Sequence, residues 1–302
     1  MHSPVSMLDA TPVEPVLTAP VSPSQWQESS SGTGRLLWQP LEWDRQHFGI
    51  RIGRLQPEEL SLAELIVQLA RAARENIDCL YWFANRPLSG LQSGLPGWTV
   101  VQPARQVTLA KELSADEVPA GVTVLPDEGT HDTVIEPLSL PLARNNTLGD
   151  DADRAAITSL GIDAGWTSRF RRDPNFATER VDALYRIWAD KCLTGERANA
   201  VLIARRQGQV AGLITLQVTG AARSGAEIGL VAVQESARGL GLGQRLMRAA
   251  ELWLQAQGVN RVTVVTQAEN SAAMNLYRRC GYQEQQQRTV YHFWRVAESA
   301  AC

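Results

Sequence analysis

The 302-residue chain is poor in cysteine: Cys79, Cys192, Cys280 and Cys302 are widely scattered, with no Cys-x-x-Cys pair. Such spacing argues against a disulfide framework and a thiolate metal site, and fits a reducing compartment. An excess of either charge is also missing. The 29 Lys and Arg residues against 32 Asp and Glu leave a net charge of −3, so no global field draws in nucleic acid or an anionic membrane. No uncharged apolar run reaches the roughly 18 residues that span a bilayer. Near the start, Pro4, Pro12, Pro15, Pro20 and Pro23 interrupt every short apolar stretch and no basic segment precedes one, so no secretory signal is read there. The expectation is a cytoplasmic protein without a metal. At 44% hydrophobic residues the chain can bury a core of one or two domains.

Residues 1–34, rich in Pro, Ser and Thr, read as a disordered tail. Residues 35–111 read as a small N-terminal α/β subdomain. Within it Pro57 opens a helix carrying Leu60, Leu65, Leu69 and Ala72, and Cys79–Ala84 forms a buried strand. Trp98–Val101 and Gln106–Leu109 read as two further short strands. Residues 112–150, loose and interrupted by prolines, read as linker-like with one strand at most. From 151 to 302 the pattern tightens. Helices are predicted over Asp151–Leu160, Phe176–Cys192, Gln244–Gln255 and Ser271–Cys280. Strands are predicted over Val201–Ala204, Val210–Val218, Ala226–Val233, Val262–Val265 and Thr289–Val296, with a hairpin turn at Gln207–Gln209. Alternating strands and helices with one hairpin define a mixed α/β (α+β) layer fold.

Between the strand ending at Val233 and the helix starting near Gln244 lies Arg238-Gly239-Leu240-Gly241-Leu242-Gly243. Glycines there let the chain turn sharply and let a ligand approach the main chain. The unpaired N–H groups at the helix start, with the positive end of its dipole, suit a diphosphate. The same glycines would also serve a tight connection alone. A Walker loop is excluded because Gly243 is followed by Gln244 and Arg245, and a dinucleotide fingerprint lacks its two-residue gap.

The segment from Val231-Ala232-Val233 to Gly243 resembles the acetyl-CoA motif of the GNAT acetyltransferases, Val-x-Val followed by Arg/Gln-x-x-Gly-x-Gly/Ala. Asn270 to Tyr282, with Ala273, Leu276-Tyr277 and Gly281-Tyr282, is similar to that superfamily's second motif. The resemblance covers about residues 151–298. It implies a GNAT fold with a mixed, splayed central sheet and acetyl-CoA as cosubstrate. Leu230, Val231, Ala232 and Val233 would bond the pantetheine arm, and Arg238, Gly239, Leu240, Gly241, Leu242, Gly243 and Gln244 would hold the pyrophosphate. Tyr277 would donate a proton to the departing thiolate; its alternative is a tyrosine packed on its helix. Asn270 would bond the cofactor arm or simply cap the helix. The general base stays open among Glu227, His47 and a water chain.

Pro40 to Gly49, and Ser168-Arg169-Phe170-Arg171, are similar to stretches of the dTDP-fucosamine acetyltransferases. That resemblance implies an acceptor carrying a 4-amino sugar on a nucleoside diphosphate. Arg169, Arg171 and Arg172 would then contact phosphate, or else form a solvated loop rim, and Trp166 and Phe170 would stack on base or sugar, or pack. The alternatives are acetylation of another small amine or a peptide N-terminus, and a non-catalytic acyl-CoA-binding protein. The partner expected is a small amine, and an edge strand near the C-terminus offers a surface for a homodimer.

Overall fold

The computed structural model describes residues 37–91, 94–114, 132–138, 140, 151–220 and 224–296. The tail expected over 1–34 and much of the 112–150 segment lie outside these residues. The first half contains β1 (Trp38–Pro40), α1 (Glu42–Phe48), β2 (Ile52–Leu55), α2 (Leu62–Arg74), β3 (Cys79–Ala84), β4 (Trp98–Glu112) and β5 (Thr133–Pro137). There follow α3 (Asp151–Ala164), α4 (Thr178–Leu193), β6 (Ala200–Arg206), β7 (Gln209–Thr219) and β8 (Gly225–Val233). The chain ends with α5 (Leu242–Ala256), β9 (Arg261–Gln267), α6 (Ser271–Arg279) and β10 (Gln283–Arg295).

Among the described residues ten strands join one mixed sheet in the order β1-β2-β3-β10-β4-β9-β8-β7-β6-β5. Only β2/β3 and β8/β9 run parallel among its pairs. Strand β3 is buried along its whole length because both faces are covered. Cys79, Tyr81 and Phe83 meet the side that carries α1, α3 and α4, and Leu80, Trp82 and Ala84 meet α2. On the α2 side of the sheet, α5 buries Leu246, Met247, Ala250 and Leu254, one helical stripe, against β6, β7 and β8. Each of the Leu and Met side chains contributes roughly 1.5–3 kcal/mol on burial. The hairpin joining β6 to β7 turns at Gln207 (φ 52°) and Gly208 (φ 83°), the two positive values of a type I′ hairpin turn.

Several boundaries differ from the sequence reading. The helix expected at Pro57 starts at Leu62, because Ser61 and Glu64 form a reciprocal capping box; the Pro57 carbonyl instead accepts the Trp82 indole N–H at 2.7 Å. The two strands expected over 98–109 are one strand, β4. Its Pro103 sits at a bulge, between the Val101↔His292 and Ala104↔Val290 pairs. It also lies beyond the reach of β9, whose pairing begins at Gln106, so the missing N–H breaks no ladder bond there. The C-terminal strand is not an edge: β10 lies between β3 and β4. Strands β1 to β4, expected in a separate subdomain, therefore continue the sheet of the second half.

Candidate active site

Strands β8 and β9 start side by side and then part. Their pairing runs from Gly225↔Arg261 to Ile228↔Val264 and stops, leaving Gly229–Val233 without a neighbour on that side. A bulge opposite Thr215 drives the change, since the β7/β8 register shifts between Ile214↔Val231 and Leu216↔Ile228. Across it the strand turns over: Ala226 and Ile228 pack towards α5, whereas Leu230 and Ala232 pack towards α3 and α4. The Thr215 hydroxyl accepts the Leu230 N–H at 2.8 Å, and a Cβ on Gly229 would lie 2.8 Å from that same oxygen. Further along, the Gln234 N–H reaches the Ala211 carbonyl at 2.8 Å. By the alternation of an antiparallel ladder, Val231 and Val233 then direct their main-chain groups into the gap. The Arg238 guanidinium donates to one of these, the Val233 carbonyl, at 3.2 Å. Leu230, expected to face a ligand, has its N–H engaged by Thr215.

A short 3₁₀ turn (Glu235–Ala237) leads into the glycine turn. Gly239 and Gly241 have φ of 79° and 76°, values costly for a residue with a side chain. A Cβ at either would meet nothing within 4 Å, so the turn presents open main chain to solvent. Gly241 is the N-cap of α5, and no side chain caps that end. Its first N–H groups and the helix dipole therefore remain available to an anion. The residues fit the diphosphate arm of acetyl-CoA.

The gap between β8 and β9 opens into a cleft of ≈ 640 Å³ lined by Asp163, Trp166, Thr167, Val231, Ala232, Val233, Glu235, Arg238, Asn270, Leu276 and Tyr277. An adjoining pocket of ≈ 430 Å³ shares Val233, Arg238, Ala272 and Leu276 with it, and adds Gly239, Gly241, Leu242, Gly243, Gln244 and Arg279. The cofactor-site residues expected from the two motifs thus surround one continuous groove, apart from Leu230, buried behind it, and Leu240, half exposed beside it. Tyr277 projects from α6 with only 5% of its surface exposed, and burial holds its hydroxyl well above the ordinary tyrosine range. At neutral pH its hydroxyl therefore stays protonated. The Asn270 side chain accepts the Ala273 N–H at 3.2 Å as the N-cap of α6 and also lines the cleft.

The three arginines expected to form a phosphate patch are not brought together in the cleft lining. Arg169 is buried, its guanidinium 3.8 Å from the Phe170 ring centre and 4.2 Å from that of Tyr81. It donates to His292 Nε2 at 2.8 Å, and His292 Nδ1 donates to Asp173 at 2.6 Å. Burial lowers the His292 pKa to about 4, consistent with a neutral ring that donates on one side and accepts on the other. Arg171 pairs with Asp182, and Arg172 donates to the Pro103 carbonyl at 2.6 Å. These contacts pin the α3–α4 loop to the sheet, through β10 and β4, and to α4. Phe170 is likewise buried among Phe48, Tyr81 and Phe176, whereas Trp166 is 71% exposed at the cleft.

Of the two side chains among the candidate bases, His47 stacks on Trp43 and shares a 2.7 Å hydrogen bond with the Arg180 carbonyl, away from the cleft. Burial raises the Glu227 carboxyl to about 7, but it stands on the paired part of β8 and outside the cleft lining. Thr215, Thr167 and Arg279 were not singled out in the sequence. A threonine inside an apolar strand carries no local signal of the bulge it supports. Among the described residues no three His, Cys, Asp or Glu side chains gather as a metal site, and no helix is long and apolar enough to cross a membrane.

The family model for the acetyltransferase (GNAT) family matches residues 164–282. The chain is 28% identical over 146 residues to the spore coat polysaccharide biosynthesis protein SpsD of Bacillus subtilis, covering 48% of this chain and 49% of that protein. It is 31% identical over 149 residues to the dTDP-fucosamine acetyltransferase of Escherichia coli O6:H1, covering 48% of this chain and 62% of that one. It thus spans between about half and three fifths of the length of these relatives. Among solved structures, a GCN5-related N-acetyltransferase from Sphaerobacter thermophilus superposes with a TM-score of 0.47 at 18% identity, over 88% of this chain and 78% of that one. The matched segment contains the parted strand, the glycine turn and Tyr277, and with them this chain carries an acetyltransferase domain of the GNAT family.

Proposed function

We propose that the chain transfers the acetyl group of acetyl-CoA to a primary amine, with the 4-amino group of a nucleotide-linked amino sugar as the acceptor that fits best. The observation that carries the reading is the parting of β8 from β9 after Ile228↔Val264. It places unpaired main chain, a left-handed glycine turn and a buried tyrosine hydroxyl around one groove. Acetyl-CoA supplies an activated acyl carbon and a thiolate leaving group. Val231 and Val233 would align its pantetheine arm as an added strand. A gap-facing N–H would stabilise negative charge on the carbonyl oxygen as the amine nitrogen bonds to carbon. Tyr277 would give its proton to sulfur as the carbon–sulfur bond breaks, while the amine loses one to solvent.

The acceptor assignment draws on the relative named as a dTDP-fucosamine acetyltransferase. A second reading, acetylation of a cationic small amine or peptide N-terminus, is favoured by Asp163 and Glu235 in the cleft lining. Free CoA released against a panel of nucleotide-linked amino sugars, polyamines and peptides separates the two. Turnover confined to cationic amines would overturn the sugar assignment, and none with any amine would leave only acyl-CoA binding.

A further inference from the structure

The cleft has two unlike walls. One is built from the end of β8, Glu235, Arg238 and α6. The other is the end of α3, with Asp163 and Ala164, and the loop after it, with Trp166 and Thr167. Trp166 is the most exposed large apolar side chain among the described residues, at 71%. An indole left in water at the mouth of a groove gains nothing for the fold.

The loop nevertheless holds it in place. Gly165, just before it, packs so tightly on Tyr185 that an added Cβ would lie 2.3 Å from the ring. The Trp166 and Ser168 N–H groups bond the Asp163 and Gly165 carbonyls at 3.1 and 3.0 Å. The Arg171 guanidinium lies 5.5 Å from the Trp166 ring centre, fixed in turn by Asp182. The result is an aromatic platform on a tightly held stretch of main chain, with a cation beside it.

We infer that Trp166 is a specificity-determining residue that stacks on the nucleobase of the acceptor. The inference rests on the nucleotide-linked acceptor proposed above. Its basis is the contrast in exposure within one cleft lining. Tyr277, where the amine must react, is 5% exposed, whereas Trp166 in the same lining is 71% exposed and faces solvent. The part of the acceptor furthest from its amine is its base, and that part meets Trp166. The acyl donor occupies the opposite wall, so the platform is left to the acceptor.

The test compares Trp166→Ala and Trp166→Phe with the parent, using a thymidine-diphosphate amino sugar as acceptor and thymidine diphosphate alone in calorimetry. Loss of one base–aromatic stack is expected to raise the acceptor KM by roughly ten-fold or more, with kcat and the acetyl-CoA KM within two-fold. The affinity for thymidine diphosphate should fall in parallel, and Trp166→Phe should recover most of both. If the parent acetylates the nucleotide sugar and Trp166→Ala keeps its KM, the platform is wrong and the acceptor reading stands. A fall in kcat alone, or an equal rise in the acetyl-CoA KM, also overturns it. If the parent acetylates no nucleotide-linked amine and binds no nucleoside diphosphate, both inferences fall together.

Discussion

Replacing Gly241 by alanine isolates the contribution of backbone conformation to the glycine turn. A Cβ there meets nothing within 4 Å, so no clash contributes, and the penalty is that of holding alanine at φ 76°. That is about 1–2 kcal/mol. If the turn keeps its shape, stability falls by that amount; if it relaxes, α5 loses its N-terminal geometry and affinity for acetyl-CoA falls instead, by roughly 5–30-fold. The two losses together should sum to the same figure. Gly243→Ala is the matched control, because Gly243 lies within α5 at ordinary helical angles. Its Cβ would sit 3.3 and 3.4 Å from the Leu276 methyl groups, the movable ends of a side chain, and alanine favours the helix by about 1 kcal/mol. Stability should be unchanged or slightly higher. Urea denaturation and calorimetry with acetyl-CoA measure both quantities. Equal stability and affinity for Gly241→Ala and the parent would refute the claim that the left-handed turn shapes the site.

Three further outcomes follow from the same geometry. Tyr277→Phe keeps the buried ring and removes only the hydroxyl, so kcat should fall by about 10²–10⁴ with the acetyl-CoA Kd within two-fold; stopped-flow detection of free thiol would show it. Thr215→Val strips the partner from the buried Leu230 N–H, at about 1–3 kcal/mol of stability, read by denaturation, and should weaken acetyl-CoA by loosening the bulge. Asp44 is buried with one carboxylate oxygen unpartnered, and burial, partly offset by Arg169, raises its pKa to about 6. A folded value above the unfolded one of about 3.9 makes ionisation a penalty, absent below pH ~4 and complete above pH ~6, worth roughly 2–3 kcal/mol. Asp44→Asn should therefore gain stability over the parent progressively across that window. A difference independent of pH would contradict this account.

What could be read in the sequence is what is local. The glycine turn, the stripe of Leu246, Met247, Ala250 and Leu254, and the Asn270 cap each lie within one turn and its flanking element, so spacing alone places them. Even the parting of β8 was anticipated, through the family pattern around Val231 and Val233. What escaped depends on distant partners. Arg169 looked like surface charge because its neighbours in sequence are Phe170, Arg171 and Arg172, whereas its environment is set by Tyr81 and by His292, 123 residues away. The continuity of β4 across Pro103 depends on where β9 ends and β10 bulges, and neither is visible from β4. Nor does any local pattern tell that β10 slots between β3 and β4 and so is not an edge.

The central claim is that acetyl-CoA lies along the unpaired edge of β8 with its diphosphate on the glycine turn. Amide hydrogen exchange with and without acetyl-CoA tests it residue by residue. The account predicts saturable 1:1 binding with slowed exchange at Val231, Val233 and residues 239–244, and little change in β6 or α2. No binding, or binding that protects other segments and leaves β8 and the glycine turn exchanging as before, would contradict it.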